Sequence, residues 1–464
     1  MNYYQQFKNY TITQVVDTML GMVGNSSDEN LIRFTYLAEK LAKKDYYVKA
    51  IRETREMFRQ GHPVLEVAKR IIRDTHPNIR KKLVQTFIVN QLLLGTNRRK
   101  AFQDEAGFYP PGLLVISPSM RCNLNCFGCY AGSYKKSDEL TFDEVDGVLT
   151  QMKEMGVHLC VVSGGEPFFR KDILDIFRKH GDMAFMVYTH GGLLDEELVG
   201  KLAEIGNVMP CISIEGFEEE TDARRGKGHF NTVMHAMDLM HKGGLMFGFS
   251  CTATSKNIDI ITSEAYMDML VEKGCHAGWF FSYVPIGREP NIELMPTPQQ
   301  RSYLREKVIE FRNTKPIILA DFWNDGPLVG GCIAGGRKYF HVNAKGDIEP
   351  CVFCHFAVDN IRDTTIKDAL NSRLFTSIRE SQKTNTNLLT PCMLIDKPEI
   401  IREAVLISGA RPTHAGADAL ITELASDIDR YSEEYCRIAD EKWGNMQEAK
   451  TCRCKSHSCT NAVS

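Results

Sequence analysis

Leu113-Leu114-Val115-Ile116-Ser117-Pro118-Ser119-Met120-Arg121-Cys122-Asn123-Leu124-Asn125-Cys126-Phe127-Gly128-Cys129 couples a short apolar run to three thiols within eight residues. The run reads as a strand, so the thiols fall on the loop leaving its carboxyl end. The same pattern repeats outward from about 111 to 315. Apolar runs at Leu113 to Ile116, His158 to Val162, Phe185 to Tyr188, Pro210 to Ile214, Phe247 to Thr252 and Trp279 to Val284 are rich in β-branched and aromatic residues. Amphipathic stretches lie between them, at Phe142 to Met155, Asp172 to His180, Asp195 to Ile205, Phe230 to His241 and Ser263 to Glu272. Glycines 156, 181, 206, 243 and 274 stand where helix C-caps are expected. Strands alternating with helices imply a parallel sheet with right-handed crossovers. Six units are two short of a closed eight-fold barrel, so the expected fold is α/β, a partial (β/α)6 TIM-like barrel. In such barrels the loops at the carboxyl ends of the strands carry the active site.

On the amino-terminal side, residues 1–108 read as helical. Val64, Leu65, Val67, Ala68, Ile71 and Ile72 share one face, and Leu83, Phe87, Ile88 and Leu92 continue the theme after His76-Pro77. Between 39 and 100 there are sixteen Lys/Arg against six Asp/Glu. The bland reading is a solvated helical face. The sharper one is a surface for lipid headgroups, an acidic peptide, an acidic electron donor or nucleic acid, and no residue pattern chooses among these. On the carboxyl side the alternation stops after 315. Tyr339 to Val342, Asn343 to Gly346 and Asp347 to Glu349 read as a hairpin whose turn uses Gly346. Helical segments are expected at about 364–380 and 395–450. The expected organisation is a helical region at 1–108, a barrel at 109–315, an extension at 316–395, then helices and a cysteine-bearing tail at 396–464.

The chain has 464 residues, 43% hydrophobic and 25% charged, with a net charge of −3. These values suit a soluble globular protein and name no partner. No run approaches the length of a membrane span, and the start lacks the basic-then-apolar pattern of a secretory signal, so a cytoplasmic location is expected. Fifteen cysteines in such a chain argue for metal ligation where they cluster rather than for a disulfide framework. Cys160, Cys211, Cys251, Cys275 and Cys436 stand singly and read as small buried apolar residues.

Three close thiolates suit a polynuclear iron cluster or zinc. Zinc more often takes its ligands in pairs, and three in one loop leave a further metal position without a protein ligand. The spacing Cys122-x3-Cys126-x2-Cys129, placed after the first strand of an alternating fold, resembles that of the radical S-adenosylmethionine (radical SAM) enzymes. The resemblance implies that Cys122, Cys126 and Cys129 hold three irons of a [4Fe-4S] cluster. The fourth iron would bind S-adenosylmethionine, whose reductive cleavage yields a 5′-deoxyadenosyl radical. Ser163-Gly164-Gly165-Glu166-Pro167 ends the second strand and looks like the family's Gly-Gly-Glu-Pro element, which contacts the amino group of the methionine moiety. Ser213 and Glu215 end the fourth strand, where the family meets the ribose. Arg225 resembles an arginine that pairs with the methionine carboxylate, the alternative being a surface arginine. Two departures stand out. Thr189-His190-Gly191 replaces the usual Thr-Asn-Gly, and Gly128 replaces an aromatic residue found near the adenine, with Phe127 and Tyr130 beside it.

A second group follows. Cys332-x13-Gly346-x4-Cys351 resembles the opening of the SPASM extension of peptide-modifying radical enzymes. A full SPASM domain uses seven cysteines. Here Cys332, Cys351, Cys354 and Cys392 are four, so one auxiliary [4Fe-4S] cluster, as in the shorter Twitch variant, is expected. A structural zinc site is the alternative, and His355 could replace one thiol. Cys452, Cys454 and Cys459, with His457 among them, read as an unliganded tail, a third metal being the other reading.

The resemblance implies an enzyme that abstracts hydrogen from a peptide, a lipid or another small metabolite. It would take electrons from a ferredoxin- or flavodoxin-type donor and have no membrane span, although peripheral membrane contact is compatible with it. Nucleic acid is not specifically indicated. The alternative class is a non-catalytic iron–sulfur electron carrier or redox sensor, which needs neither an open metal position nor the Gly164-Gly165 loop; a zinc scaffold is a third. Tyr283, Arg288, Trp323 and His341 are further pocket candidates.

Overall fold

The computed structural model describes residues 27–41 and 45–458. Its centre is a nine-stranded sheet. The strands are β1 (Leu114–Ile116), β2 (Leu159–Val162), β3 (Ala184–Thr189), β4 (Val208–Ser213), β5 (Gly248–Ala253), β6 (Ala277–Ser282), β7 (Ile318–Asp321), β8 (His341–Val342) and β9 (Ile348–Glu349). They run in the order β7-β6-β5-β4-β3-β2-β1-β8-β9. Every neighbouring pair is parallel except β8 with β9. The sheet curves as a partial TIM-like barrel, with β1 to β6 close to the six expected runs.

Several of its helices start where side chains satisfy free N–H groups. Thr141 and Glu144 form a reciprocal capping box, while Asp195 and Ser263 accept from Leu198 N–H and Tyr266 N–H. Side chains alternate across the strands. Val115, Val161, Met186, Tyr188, Trp279 and Phe281 face the concave side, whereas Leu114, Phe185, Phe249 and Phe280 are buried on the other.

Two expectations need correction. The alternation does not stop at 315: after the helix Pro298–Thr314, β7 pairs with β6 from Ala277↔Ile318 to Phe280↔Asp321. Four residues give too short an apolar run to stand out. The carboxyl-terminal helix is broken, because Gly409 (φ +65°) ends the helix Pro398–Ser408. Arg411–Pro412 then pairs with Phe356–Ala357 before the helix Ala425–Ser458 begins. The five glycines placed at helix ends do stand at or directly after C-caps, and Gly156, Gly206 and Gly274 take positive φ there.

The expected hairpin forms, with His341 opposite Glu349 and Gly346 at φ +83° in its turn. It does more than reverse the chain, since β8 adds to β1 and so lies beside the strand that feeds the cysteine loop.

The described part of the amino-terminal region is helical. Part of its basic excess is used internally, against backbone carbonyls, rather than on a solvated face. Arg70, buried, donates to the carbonyls of Pro316, Cys275 and Val271 at 2.9, 3.1 and 3.2 Å. Arg80, Lys82, Arg98 and Arg99 likewise donate to the carbonyls of Thr75, Gly181, Glu154 and Gly156. Among the described residues no helix is long and apolar enough to cross a membrane.

Candidate active site

Cys122, Cys126 and Cys129 line one cavity of about 270 Å³, which opens at the carboxyl ends of the strands and runs down the concave face. Two neighbours fix their loop. On one side the β2–helix turn lies against it, with Gly165 N–H donating to Ser119 O at 3.0 Å and Glu166 N–H to Arg121 O at 2.7 Å. This contact explains the two glycines. A Cβ on Gly164 would stand 2.5 Å from Ser119 O, and one on Gly165 2.2 Å from Arg121 O. On the other side, Arg288 donates its N–H to Cys129 O at 3.0 Å and its guanidinium to Cys126 O at 3.1 Å. The ring of Tyr283 fills the space a side chain at Gly128 would need, 2.5 Å from its notional Cβ.

Six of the seven clustered cysteines have a backbone N–H aimed at sulfur. Leu124 N–H donates to Cys122 Sγ, Phe353 N–H to Cys351 Sγ and Leu394 N–H to Cys392 Sγ, each at 3.4 Å. Cys129, Cys332 and Cys354 receive the same help from the N–H two residues on, at Ala131, Ala334 and Phe356. Such bonds favour a thiolate. Cys160, Cys211, Cys251 and Cys275 are buried, and burial pushes their thiols up. Cys436 is half-buried and its thiol points at Asp396 O, 3.7 Å away. These five behave as apolar residues.

Gly164 and Gly165 reach the cavity; Glu166 and Pro167 do not line it. Glu166 is fully buried and holds the end of β3, accepting from Thr189 Oγ1 and His190 N–H, both at 2.8 Å. Burial pushes its carboxyl up to about 7. His190 lines the cavity, and its partners set its tautomer. Its Nδ1 accepts from Gly192 N–H at 2.9 Å, so Nε2 carries the proton and donates to Asn123 Oδ1 at 2.8 Å, inside the cysteine loop. Burial lowers this imidazole to about 4, which keeps it neutral.

Ser213 reaches the cavity, its hydroxyl 3.2 Å from that of Ser250. Glu215 does not. Its carboxylate is held by Arg224 at 2.6 Å, by Arg225 at 3.1 Å and by Thr252 N–H at 3.0 Å, and these contacts keep it ionised despite burial. Two guanidiniums sharing one carboxylate leave a surplus positive charge at the cavity wall, and Arg224 Nε is buried without a partner. Arg224, which the sequence reading passed over for Arg225, thus shares its position.

Cys332, Cys351, Cys354 and Cys392 lie close enough to feel one another's charge. Burial raises all four thiols, Cys351 to about 12. Such thiols lose their protons outright to a metal ion. The Tyr339 hydroxyl sits 2.7 Å from Cys351 Sγ. His355 turns away from the group, with Nδ1 2.7 Å from His414 Nε2 and Nε2 3.0 Å from Val352 O.

Among the described residues no three His, Cys, Asp or Glu side chains converge as a single metal ion requires. Backbone N–H groups are nevertheless aimed at sulfur in both groups, and this donor chemistry fits iron–sulfur clusters. Tyr283 lines the cavity, whereas Trp323 lies buried against Phe353. His341 is excluded from the cavity, being fully buried between Ser117 Oγ at 2.8 Å and Glu349 Oε2 at 2.6 Å. Cys459 and the side chains of Cys452, Cys454 and His457 lie outside the described residues.

Comparison with known proteins agrees with this picture. The Radical SAM superfamily model matches residues 116–255, and that of SPASM, an iron-sulfur cluster-binding domain, matches 332–393. The AdoMet-dependent heme synthase of Methanosarcina barkeri is 27% identical over 303 residues, 59% of this chain and 86% of that protein. Mycofactocin maturase MftC of Mycolicibacterium smegmatis is 26% identical over 305 residues, 60% of this chain and 75% of that protein. In fold, the chain is similar to Streptococcus suis SuiB bound to S-adenosylmethionine, with a TM-score of 0.51 at 16% identity, covering 65% of this chain and 80% of SuiB.

Proposed function

We propose, for a radical SAM enzyme whose chain carries a SPASM domain after the radical SAM domain, that Cys122, Cys126 and Cys129 hold the [4Fe-4S] cluster at which S-adenosylmethionine is reductively cleaved. The observation that carries this reading is the sharing of one cavity wall by the three thiols, Gly164-Gly165 and the Arg224–Arg225 pair. When bound, the cluster supplies the electron that breaks the S–C5′ bond and so makes a hydrogen-abstracting radical available.

The protein's own part is placement. Gly164 and Gly165 offer main chain to a ligand's ammonium group without side chains in the way. The surplus charge of Arg224 and Arg225 over Glu215 attracts a carboxylate, and Ser213 offers a hydroxyl to a ribose. His190, through Asn123, and Arg288, through the carbonyls of Cys126 and Cys129, hold the cysteine loop in register with those groups. The walls below exclude water. Cys332, Cys351, Cys354 and Cys392 are assigned to one auxiliary [4Fe-4S] cluster with an electron-relaying role, fed from a ferredoxin- or flavodoxin-type donor. The names of the relatives span a heme synthase and a maturase, so they single out no substrate.

The test is anaerobic incubation with dithionite and S-adenosylmethionine, followed by quantification of 5′-deoxyadenosine and methionine. Both should form, and Cys126→Ala should form neither. Turnover that survives that replacement would overturn the assignment.

A further inference from the structure

Below the cysteine loop the cavity continues down the concave face past Val161 to Leu159. Its walls there are mainly rings. β3 and β6 are separated by two strands in the sheet, yet Tyr188 and Phe281 meet edge-on across the lumen, with centroids 5.7 Å apart. From Phe281 the aromatic surface extends to Trp279 at 6.3 Å and to Phe322 at 5.3 Å. From Phe322 it reaches Phe353, at 5.8 Å, which lies between Cys351 and Cys354. The auxiliary domain thereby supplies one wall of the chamber.

The charge inventory is equally distinctive. Among the described residues no Asp, Glu or Lys lines the cavity. Its cations are Arg224 and Arg225, both held by Glu215 at the mouth, and His190 is neutral.

We infer that the chamber receives an uncharged, ring-sized hydrocarbon portion of the substrate. With Arg224 and Arg225 engaged by Glu215 and by the carboxylate of S-adenosylmethionine, a further carboxylate or an ammonium entering the aromatic part would lose its hydration and meet no free counter-ion, so the walls select against both. An uncharged ring gains from leaving water and from edge-to-face contact with the rings of the wall. Specificity of this kind bears on whichever larger molecule carries the ring. The inference rests on the reading of the cavity as the place of reaction, and its test is made without turnover.

Equilibrium dialysis of the anaerobic holoenzyme with S-adenosylmethionine, at pH 7, would compare p-cresol with 4-methylbenzoate and 4-methylbenzylamine. These probes share size and differ in charge. The expected result is p-cresol bound at least tenfold more tightly than either ion. Phe281→Asp should lower p-cresol affinity at least tenfold while iron content and circular dichroism are kept. Should that variant not fold, Trp279→Ala serves instead, with a loss of at least threefold. Equal or tighter binding of either ion, or p-cresol binding unchanged in the folded variant, would overturn the inference. Either outcome leaves the 5′-deoxyadenosine measurement untouched, so failure of the chamber and failure of the cluster assignment are told apart.

Discussion

Gly165→Ala tests whether the close approach of two backbone segments places the cysteine loop. The added Cβ would stand 2.2 Å from Arg121 O, 2.7 Å from Arg121 C and 2.7 Å from Met120 C, all main-chain atoms with no side chain to swing aside. To reach ordinary contact, the segment leading into Cys122 must retreat by roughly 1 Å. Overpacking of this sort costs about 1–3 kcal/mol, and a displacement of about 1 Å at a reacting centre is worth roughly 100-fold in rate. The retreat would also stretch the bonds from Gly165 N–H to Ser119 O and from Glu166 N–H to Arg121 O. Anaerobic purification, iron and sulfide content and 5′-deoxyadenosine yield provide the readout. Gly200→Ala is the control, since a Cβ there meets nothing within 4 Å on an exposed helical face. It should stabilise the protein by about 0.5–1 kcal/mol. Gly165→Ala should lose much of the iron bound by the first cysteine group and fall roughly 100-fold in turnover. A variant with full iron content and turnover within twofold of the parent would refute the argument from close approach.

Two further outcomes follow from buried charge. Arg301 and Asp396 are fully buried and paired, with Arg301 Nη2 3.1 Å from Asp396 Oδ2, and they join the helix Pro298–Thr314 to the segment after Cys392. Asp396→Ala leaves that guanidinium stranded and should cost about 3–5 kcal/mol in denaturant unfolding, much of it recovered in Arg301→Met/Asp396→Leu. His276 is buried with neither ring nitrogen partnered, and burial lowers it from 6.5 to about 4. The unfolded chain therefore takes up a proton that the folded chain refuses, so the parent should lose stability relative to His276→Leu as pH falls from about 6.5 to about 4. The full difference should be on the order of 3 kcal/mol, and a flat difference across that window would contradict it.

The strands β1 to β6 were legible because their apolar runs are bounded by helix signals such as Thr141 and Ser263, which act locally. So were the two cysteine groups and the hairpin, whose spacings depend on neighbouring residues. β7 escaped because four residues carry little periodicity, and the break at Gly409 because one glycine had to outweigh the helical segments around it. What organises the site was less legible. Arg288 reaches Cys126 O across 162 positions of sequence. Tyr188 meets Phe281 only because the sheet curves, and Arg224 differs from Arg225 in sequence by nothing that reveals their common grip on Glu215. The role of His190 required its two partners, Gly192 and Asn123, to be placed before its tautomer could be assigned. Glu215 and His341 carried suitable chemistry for a pocket and proved to be occupied elsewhere.

Electron paramagnetic resonance of the anaerobic, dithionite-reduced protein, recorded with and without S-adenosylmethionine, tests the cluster assignment most directly. One iron–sulfur signal should change when S-adenosylmethionine is added and should be missing from Cys122→Ala/Cys126→Ala/Cys129→Ala, while a second signal, from the group around Cys332, persists in that variant. A spectrum indifferent to S-adenosylmethionine, or a responsive signal that survives loss of those three thiols, would contradict the account.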